Sequence, residues 1–361
     1  MSNIPEIRFD GFDDEWEEQR LNEIVDYESS NLTVSDTKEY GTYDLYDANK
    51  IIGKTNHSPI YKDYITIIKD GAGVGRIRKL PKETMFIGTM GALIPKKNNN
   101  LNYIYSLLEN FDLSKDYSGS TIPHIYFKDY GNNFYKVSYE DEQEKIGEFF
   151  RTLDTLITLY QKKTNYYKEL KKLLLVKMFP RNGSNVPEIR FEGFTDDWEQ
   201  RKFFDVVDIG SGMDYKHLGK GDIPVYGTGG YMLSVDTALS EDKDAIGIGR
   251  KGTIDKPYIL RAPFWTVDTL FYCIPKNNHD LDFTNCLFQN VDWKKKDEST
   301  GVPSLSKVII NNIETAVPSF EEQKKIGEYF KNIDTLITLH QRKCDELIEI
   351  KKVLLNKMFV K

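Results

Sequence analysis

The fold is decided by a 38-residue stretch that occurs twice in the chain. Residues 142–179 are EQEKIGEFFRTLDTLITLYQKKTNYYKELKKLLLVKMF, and residues 322–359 are EQKKIGEYFKNIDTLITLHQRKCDELIEIKKVLLNKMF. At a constant offset of 180 residues the two copies agree at 23 of 38 positions. Agreement over this length indicates an internal repeat, in which one structural unit is written twice.

Each copy has the pattern of a long helix with one apolar seam. Core positions of a heptad repeat are apolar with few exceptions, and no proline interrupts the first copy before Pro180. A helix of this length would span about 57 Å. The seam positions are Ile146, Phe150, Leu153 and Ile157 in the first copy and Ile326, Phe330, Ile333 and Ile337 in the second.

A helix with an apolar seam needs a partner, and the nearest partner for each copy is the other copy. Burial of each seam side chain contributes roughly 1.5–3 kcal/mol before the loss of entropy is subtracted. Because the copies belong to two similar halves of one chain, a pseudo-twofold axis would lay them side by side and antiparallel. The sequence therefore predicts an antiparallel coiled coil, and the alternative is that each helix packs only on its own domain.

Length favours a chain of two domains, and composition favours an intracellular protein. The chain has 361 residues, and its three cysteines are odd in number and far apart, which favours a reducing cytosol. We find no apolar run of membrane-spanning length and no basic-then-apolar leader, so we expect a soluble, cytoplasmic protein that does not enter a membrane. Net charge is −7, but the first 28 residues alone contribute −8, so a local basic surface remains compatible with the composition.

A second repeated segment precedes each half of the chain. Residues 5–17, PEIRFDGFDDEWE, return as residues 187–199, PEIRFEGFTDDWE. We expect Trp16 and Trp198 to be buried anchors rather than ligand platforms. Between each leading segment and its helix lies a body, 21–138 or 203–318, of short β-type runs, glycine-rich turns and a short helix, which predicts an α+β fold.

The bodies differ from each other much more than the leading segments and helices do. The same scaffold therefore presents two unlike surfaces, whereas a chain that needed two identical contacts could simply dimerise. This contrast favours an asymmetric target with two parts.

Each body contains a glycine-rich turn with cationic residues. The run Gly247–Gly252, GIGRKG, fits the spacing of dinucleotide-binding glycines, but the residues that follow it do not open a helix. The better functional interpretation is a turn that directs cations towards phosphates, and a plain solvated turn is the alternative. The predicted phosphate contacts are Gly73, Arg76, Arg78 and Lys79 in the first body and Arg250, Lys251, Gly252 and Lys256 in the second.

Other loops have the mixture of hydroxyl, glycine, aromatic and lysine residues that binds base edges and sugars. Each loop alone favours a structural role slightly over a functional one, but together they indicate a nucleic-acid face. These predicted DNA contacts are Ser120, Thr121, His124, Thr228, Gly229, Tyr231, Lys295, Ser299 and Thr300.

Signals for catalysis are few. Asp222 and the run 241–243 only loosely match the carboxylates and lysine of a metal nuclease, and Cys273, His279 and Cys286 lack paired zinc-ligand spacing. No nucleophile elbow, phosphate loop or methyl-donor motif is apparent. We expect this chain to have no catalytic residues, to bind no metal and to bind no cofactor.

The repeated PEIRFxGF…W segment, the EQxKIG…DTLITL helix and the closing KMF at 177–179 and 357–359 resemble the specificity subunit of type I restriction–modification systems. The resemblance covers essentially the entire chain. It implies two mixed α/β target-recognition domains, 1–140 and 181–318, and two spacer helices, 141–180 and 319–361. Each domain would bind one half of a bipartite double-stranded DNA site, and the antiparallel helices would set the unread spacer.

The same resemblance implies partners. Two modification subunits would bring S-adenosylmethionine and methylate adenine, and restriction subunits would use ATP and Mg to translocate and cleave DNA. Outward residues of the helices, Lys168, Lys172, Glu346 and Glu349, are candidates for contact with the modification subunits. The rival function is a coiled-coil adaptor with two protein-binding heads. The recognised bases and the spacer length are not encoded in any motif.

Overall fold

The computed structural model describes residues 3–115, 117–119, 122–181, 183–297 and 299–360. The chain forms two compact units. Unit 1 consists of Met1–Gln161 and Arg342–Lys361, and unit 2 consists of Lys162–Gln341. The domain boundaries proposed from the sequence remain a prediction.

Unit 1 contains the first leading segment and the first body. Its strands are β1 (Glu17–Arg20), β2 (Val25–Ser29), β3 (Tyr43–Tyr46), β4 (Ile51–Thr55), β5 (Tyr64–Ile68), β6 (Ile77–Leu80), β7 (Thr84–Phe86), β8 (Met90–Pro95) and β9 (Phe134–Val137). Its helices are α1 (Leu21–Ile24), α2 (Leu101–Glu109), α3 (Phe127–Tyr130) and the first part of α4 (Glu140–Lys177). The strands pair in the orders β2-β8-β5-β6, β4-β3-β7 and β1-β9.

Unit 2 repeats this arrangement. Its strands are β10 (Glu199–Lys202), β11 (Val207–Ser211), β12 (Ile223–Gly227), β13 (Gly230–Val235), β14 (Ala245–Gly249), β15 (Tyr258–Leu260), β16 (Trp265–Thr266), β17 (Leu270–Pro275) and β18 (Glu314–Val317). Its helices are α5 (Phe203–Val206), α6 (Leu281–Asn290), α7 (Lys307–Asn311) and the first part of α8 (Phe320–Met358). The strand orders are β11-β17-β14-β15, β13-β12-β16 and β10-β18.

The sheets are mixed, as the predicted fold class requires. β3 pairs with β7 and β12 pairs with β16 in parallel, while the other paired strands are antiparallel. The apolar runs of β5 and β14 are fully buried, because each is a central strand of a four-stranded sheet that is covered by a helix. The sequence-based prediction of an α+β fold with two similar halves is confirmed.

The long helices pack antiparallel within each unit. In unit 1 the rings of Phe150 and Phe359 are 5.9 Å apart, and the sulfur of Cys344 lies 3.9 Å from the carbonyl oxygen of Ile157. In unit 2 the rings of Phe179 and Phe330 are 6.1 Å apart. In unit 1 the start of α4 lies against the end of α8, and in unit 2 the end of α4 lies against the start of α8, which is the antiparallel arrangement predicted from the sequence.

Seven of the eight seam residues named from the sequence are buried, and Ile337 is half-buried. Lys171 and Lys351 occupy equivalent heptad core positions of the two copies, and each forms an ion pair between the helices. The ammonium of Lys171 is 2.6 Å from Asp334 in unit 2, and that of Lys351 is 2.6 Å from Asp154 in unit 1. Both units therefore contain a lysine–aspartate pair at the same place between the two long helices.

Each leading segment is anchored to the start of a long helix. Glu142, 1 % exposed, accepts hydrogen bonds from Arg8 at 2.7 Å and from the indole of Trp16 at 2.9 Å. In unit 2 the guanidinium of Arg190 makes the same contact with Glu322 at 2.8 Å. Trp16 and Trp198 are both buried, so their predicted role as anchors is confirmed.

Each body docks on its helix through a glycine and a glutamine. The side-chain oxygen of Gln143 accepts a hydrogen bond from the amide of Asn100 at 3.0 Å, and Asn100 caps α2. A Cβ atom at Gly147 would lie 2.9 Å from the amide nitrogen of Tyr103. Unit 2 repeats both contacts: the side-chain oxygen of Gln323 accepts from the amide of Asp280, and a Cβ atom at Gly327 would lie 2.8 Å from the amide nitrogen of Phe283.

We predict that Gly147→Ala lowers the free energy of unfolding by about 1–3 kcal/mol, because the added methyl group would press on the backbone of α2. An exposed helix glycine would respond in the opposite direction, with a gain of up to about 1 kcal/mol from helix propensity. Urea denaturation of the wild-type chain and the variant measures the sign. Gly327→Ala is the matched variant in unit 2, and a stabilising effect of either substitution would contradict the docking.

Candidate nucleic-acid interface

In unit 1 the structure brings the glycine-rich turn and the polar loop together. The amide of Gly71 donates a hydrogen bond to the carbonyl of Pro123 at 3.0 Å, and the amide of Ile125 donates to the carbonyl of Lys69 at 2.9 Å. Gly71 adopts a φ of 87°, which favours glycine. The turn and the loop are therefore one surface, although Ser120 and Thr121 lie outside the described residues.

Unit 2 joins the equivalent segments in the same way. The amide of Gly252 donates to the carbonyl of Pro303 at 2.8 Å, and the amide of Leu305 donates to the carbonyl of Arg250 at 2.9 Å. Gly252 has a φ of 92°. Two segments that the sequence singled out separately in each body thus form the same backbone frame in both units.

The cations of the turn in unit 1 have different surroundings. Arg76 is exposed, and its guanidinium donates to the carbonyl of Ala48 at 2.9 Å and to the side chain of Asn49 at 2.7 Å. This contact connects the glycine-rich turn to the turn between β3 and β4. The guanidinium of Arg78 lies over the ring of Tyr46 at 5.2 Å, and Gly73 is exposed in the turn.

Lys79 is engaged inside the protein. Its ammonium is 3.1 Å from the side chain of Asn102 and 3.6 Å from Asp154, and it lies over the ring of Tyr105. Burial lowers the pKa of Lys79, although Asp154 opposes this shift. The structure therefore gives this lysine partners on α2 and α4, and its predicted contact with a phosphate has no further support.

The cations of unit 2 surround its glycine-rich turn. Arg250, Lys251 and Lys256 are exposed, and the Arg250 guanidinium lies 5.8 Å from the ring of Phe271. Lys294 pairs with Asp255 at 2.9 Å, which ties the lysine run to the turn. This pairing raises the pKa of Lys294 and lowers that of Asp255.

The loop that follows the lysine run is fixed by one carboxylate. Asp297 accepts hydrogen bonds from the amides of Ser299 and Ser304, both at 3.0 Å. Lys295 is exposed and lies 3.1 Å from Asp292, and Thr300 is exposed. Lys295 and Thr300 are thus accessible, whereas Ser299 is half-buried and its hydroxyl oxygen is shielded from solvent.

Thr228 and Gly229 lie on the turn between β12 and β13, and Tyr231 lies just after it. Tyr231 is exposed, and the hydroxyl of Tyr258 donates to the carbonyl of Gly227 at 2.6 Å. The counterpart of this turn in unit 1 contains Ala48 and Asn49, the residues that Arg76 contacts. Sequence reasoning missed that counterpart, although its Asp-Ala-Asn-Lys run at 47–50 is a turn signal.

Another kind of function would be indicated, in the described parts of the chain, by a metal site, a dinucleotide-binding turn or a membrane-spanning helix. Among the residues that the structure describes, no group of three or more histidine, cysteine, aspartate or glutamate side chains could hold a metal ion. The chain continues from β14 to β15, so the glycines at 247–252 do not precede a helix that could bind a pyrophosphate. Within the described residues, no helix is long and apolar enough to span a membrane.

Proteins similar to this chain are specificity subunits of type I restriction–modification systems. The chain is 24 % identical to the type I restriction enzyme MjaVIII specificity subunit of Methanocaldococcus jannaschii, over 95 % of this chain and 92 % of that protein. Its fold is similar to that of the type I restriction–modification S subunit from M. genitalium, with a TM-score of 0.78, 18 % identity and 99 % of each chain covered.

A second solved chain, from a study of assembly and conformational transition in a type I system, has a TM-score of 0.50 at 13 % identity, with 95 % of this chain and 97 % of that chain covered. The model of the type I restriction modification DNA specificity domain matches this sequence twice, at residues 13–168 and at residues 195–349. These two matches cover most of the chain and correspond to its two repeated halves. The chain therefore belongs to the family of type I restriction–modification DNA specificity domains.

Proposed function

We propose that this chain is the DNA-recognition subunit of a type I restriction–modification complex. Unit 1 binds one half of a bipartite, asymmetric DNA site, and unit 2 binds the other half. The observation that carries this proposal is the shared frame of the two units, in which the amides of Gly71 and Gly252 bond to the carbonyls of Pro123 and Pro303. A common frame with unlike side chains is suited to binding two different sequences in the same manner.

Within each unit, the exposed cations of the glycine-rich turn contact phosphates and fix the register on the duplex. The polar side chains of the neighbouring loop then lie against base edges in the major groove, where the four base pairs are distinguishable. Arg76 makes these phosphate contacts in unit 1, and Arg250 and Lys251 make them in unit 2. Their exposure supports this role.

We further propose that the chain directs chemistry performed by partners and is itself non-catalytic. Two modification subunits bind S-adenosylmethionine and methylate adenine, and restriction subunits use ATP and Mg for translocation and cleavage. This chain binds none of these cofactors and acts in the cytoplasm, where the DNA is. The relatives, which are subunits of type I systems, support this assignment and give no support to a protein-binding adaptor.

Lys251→Ala should weaken DNA binding about equally for all sequences and should reduce the slope of log affinity against log salt by about 1, because one phosphate contact is lost. The measurement is the affinity of the chain, assembled with its modification subunits, for duplex DNA at several salt concentrations. Lys324→Ala is the control, since Lys324 lies on the first turns of α8 beside Glu321. A binding affinity that does not change with salt would contradict DNA recognition and favour the adaptor.

A further inference from the structure

The two units share the same backbone hydrogen bonds between the glycine-rich turn and the neighbouring loop. At one equivalent pair of positions in this frame, their side chains differ. The backbones of Asp70 and His124 form an isolated antiparallel bridge in unit 1, and those of Lys251 and Ser304 form the same bridge in unit 2. The amides of Asp70 and Lys251 each donate to the carbonyl of a threonine, Thr89 or Thr269, at 3.3 Å. The two pairs are therefore equivalent in backbone and opposite in charge.

In unit 1 the two side chains of this pair contact each other. Nδ1 of His124 lies 2.6 Å from a carboxylate oxygen of Asp70. An ionised carboxylate can only accept, so Nδ1 carries the proton. Nε2 is then the ring nitrogen that remains for a ligand, and in the neutral form of the ring it accepts a hydrogen bond. The His124 side chain is 36 % exposed, so a ligand can reach it.

This pair is poorly suited to a phosphate. The charge of Asp70 would repel a phosphate, and Nε2 in the neutral form of the ring has no hydrogen to donate to one. In the major groove the donors available to an acceptor are the exocyclic amino groups, N6 of adenine and N4 of cytosine. The chemistry of the pair therefore matches a base edge rather than the DNA backbone.

We propose that His124 contacts a base edge in the half-site bound by unit 1, accepting a hydrogen bond at Nε2 from the amino group of an adenine or a cytosine. Asp70 is its positioning residue. This inference rests on the proposed function and adds to it a determinant that distinguishes the two half-sites. In unit 2 the equivalent positions hold Lys251, which the proposed function assigns to a phosphate, and Ser304, so unit 2 lacks this imidazole acceptor.

The test uses the complete complex with its modification subunits and a set of duplexes in which each base pair of the recognised site is varied in turn. His124→Ala should reduce discrimination at one base pair of one half-site by about 5- to 150-fold, which corresponds to the usual cost of one mismatched base pair. Discrimination in the other half-site should not change. Asp70→Ala should act at the same base pair, whereas Asp70→Asn should retain discrimination, because its amide oxygen still accepts the Nδ1 proton.

His57→Ala is the matched control, since His57 is an exposed histidine of unit 1 outside this pair. If His124→Ala fails to assemble, His124→Gln replaces it and should change the preferred base at the same position. A loss of affinity that is equal for all sequences, or unchanged discrimination at every position, would overturn the role of His124. A wild-type complex that discriminates at no position would instead overturn the proposed function.

Discussion

Arg8→Ala should lower the free energy of unfolding by about 3–5 kcal/mol, which is the usual cost of leaving one partner of a buried ion pair uncompensated. Glu142 is 1 % exposed and is held by the Arg8 guanidinium at 2.7 Å and by the Trp16 indole at 2.9 Å. The hydrogen bond to Glu142 raises the pKa of Arg8, so the arginine stays charged at any pH of interest. Without Arg8, the carboxylate is left with the indole alone.

Urea denaturation followed by fluorescence measures this loss. Arg190→Ala should give a similar loss in unit 2, where Glu322 has the same contact. Arg151→Ala is the control, because Arg151 and Glu148 form an arginine–glutamate pair on the exposed surface of α4, and such pairs contribute little. Equal effects of Arg8→Ala and Arg151→Ala would contradict the anchoring of the leading segment.

Lys351→Met should also destabilise the chain by about 3–5 kcal/mol near neutral pH. The ammonium of Lys351 lies between Asp154 and Glu109, and the distance to Asp154 is 2.6 Å. Burial acts against the charge of Lys351, but the hydrogen bonds to these two carboxylates outweigh it and raise the pKa of the lysine. Its removal would leave two carboxylates facing each other.

The free energy of unfolding that is lost in Lys351→Met should depend on pH. Burial raises the pKa of Glu109, and Lys351 partly offsets that rise. A carboxyl group with a raised pKa binds its proton more tightly in the folded chain, so its contribution to stability falls as pH rises through the folded pKa. Because Lys351→Met raises this pKa further, the difference between variant and wild type should be larger near pH 8 than near pH 5.

Thermal unfolding at both pH values measures that difference. Lys171→Met is the matched variant, since Lys171 pairs with Asp334 and the position equivalent to Glu109 is occupied by the uncharged Gln289. The free energy of unfolding that is lost in Lys171→Met should vary less with pH. A difference for Lys351→Met that shrinks as pH rises would contradict the role assigned to Glu109.

Much of this fold could be predicted because the decisive signals are local or repeated. Heptad spacing alone identified the seam from Ile146 to Ile157, and the offset of 180 residues identified the two halves. The apolar run at residues 64–68 is one of the short β-type runs of the first body, and it forms β5. These features depend on periodicity and apolar runs, which are visible along the sequence.

The partners of polar residues could not be predicted in the same way. Glu142 was expected only as part of a helix repeat, but its buried carboxylate is paired with Arg8, which lies 134 positions away. Lys79 was predicted to contact a phosphate because it follows a glycine-rich turn, and its contact with Asp154 of α4 was not foreseen. Asp70 was not selected as a site residue, since only the folded loop brings it to His124.

An exchange of bodies tests most directly the claim that each unit binds its own half-site. The body at 203–318 would replace the body at 21–138, and both use the same docking contacts, Gln143 with Asn100 and Gln323 with Asp280. The modified adenines would then be mapped across a genome. The account predicts that the new site contains the half-sequence of unit 2 twice and lacks that of unit 1. An assembled complex that still modifies a site with two different halves would contradict it.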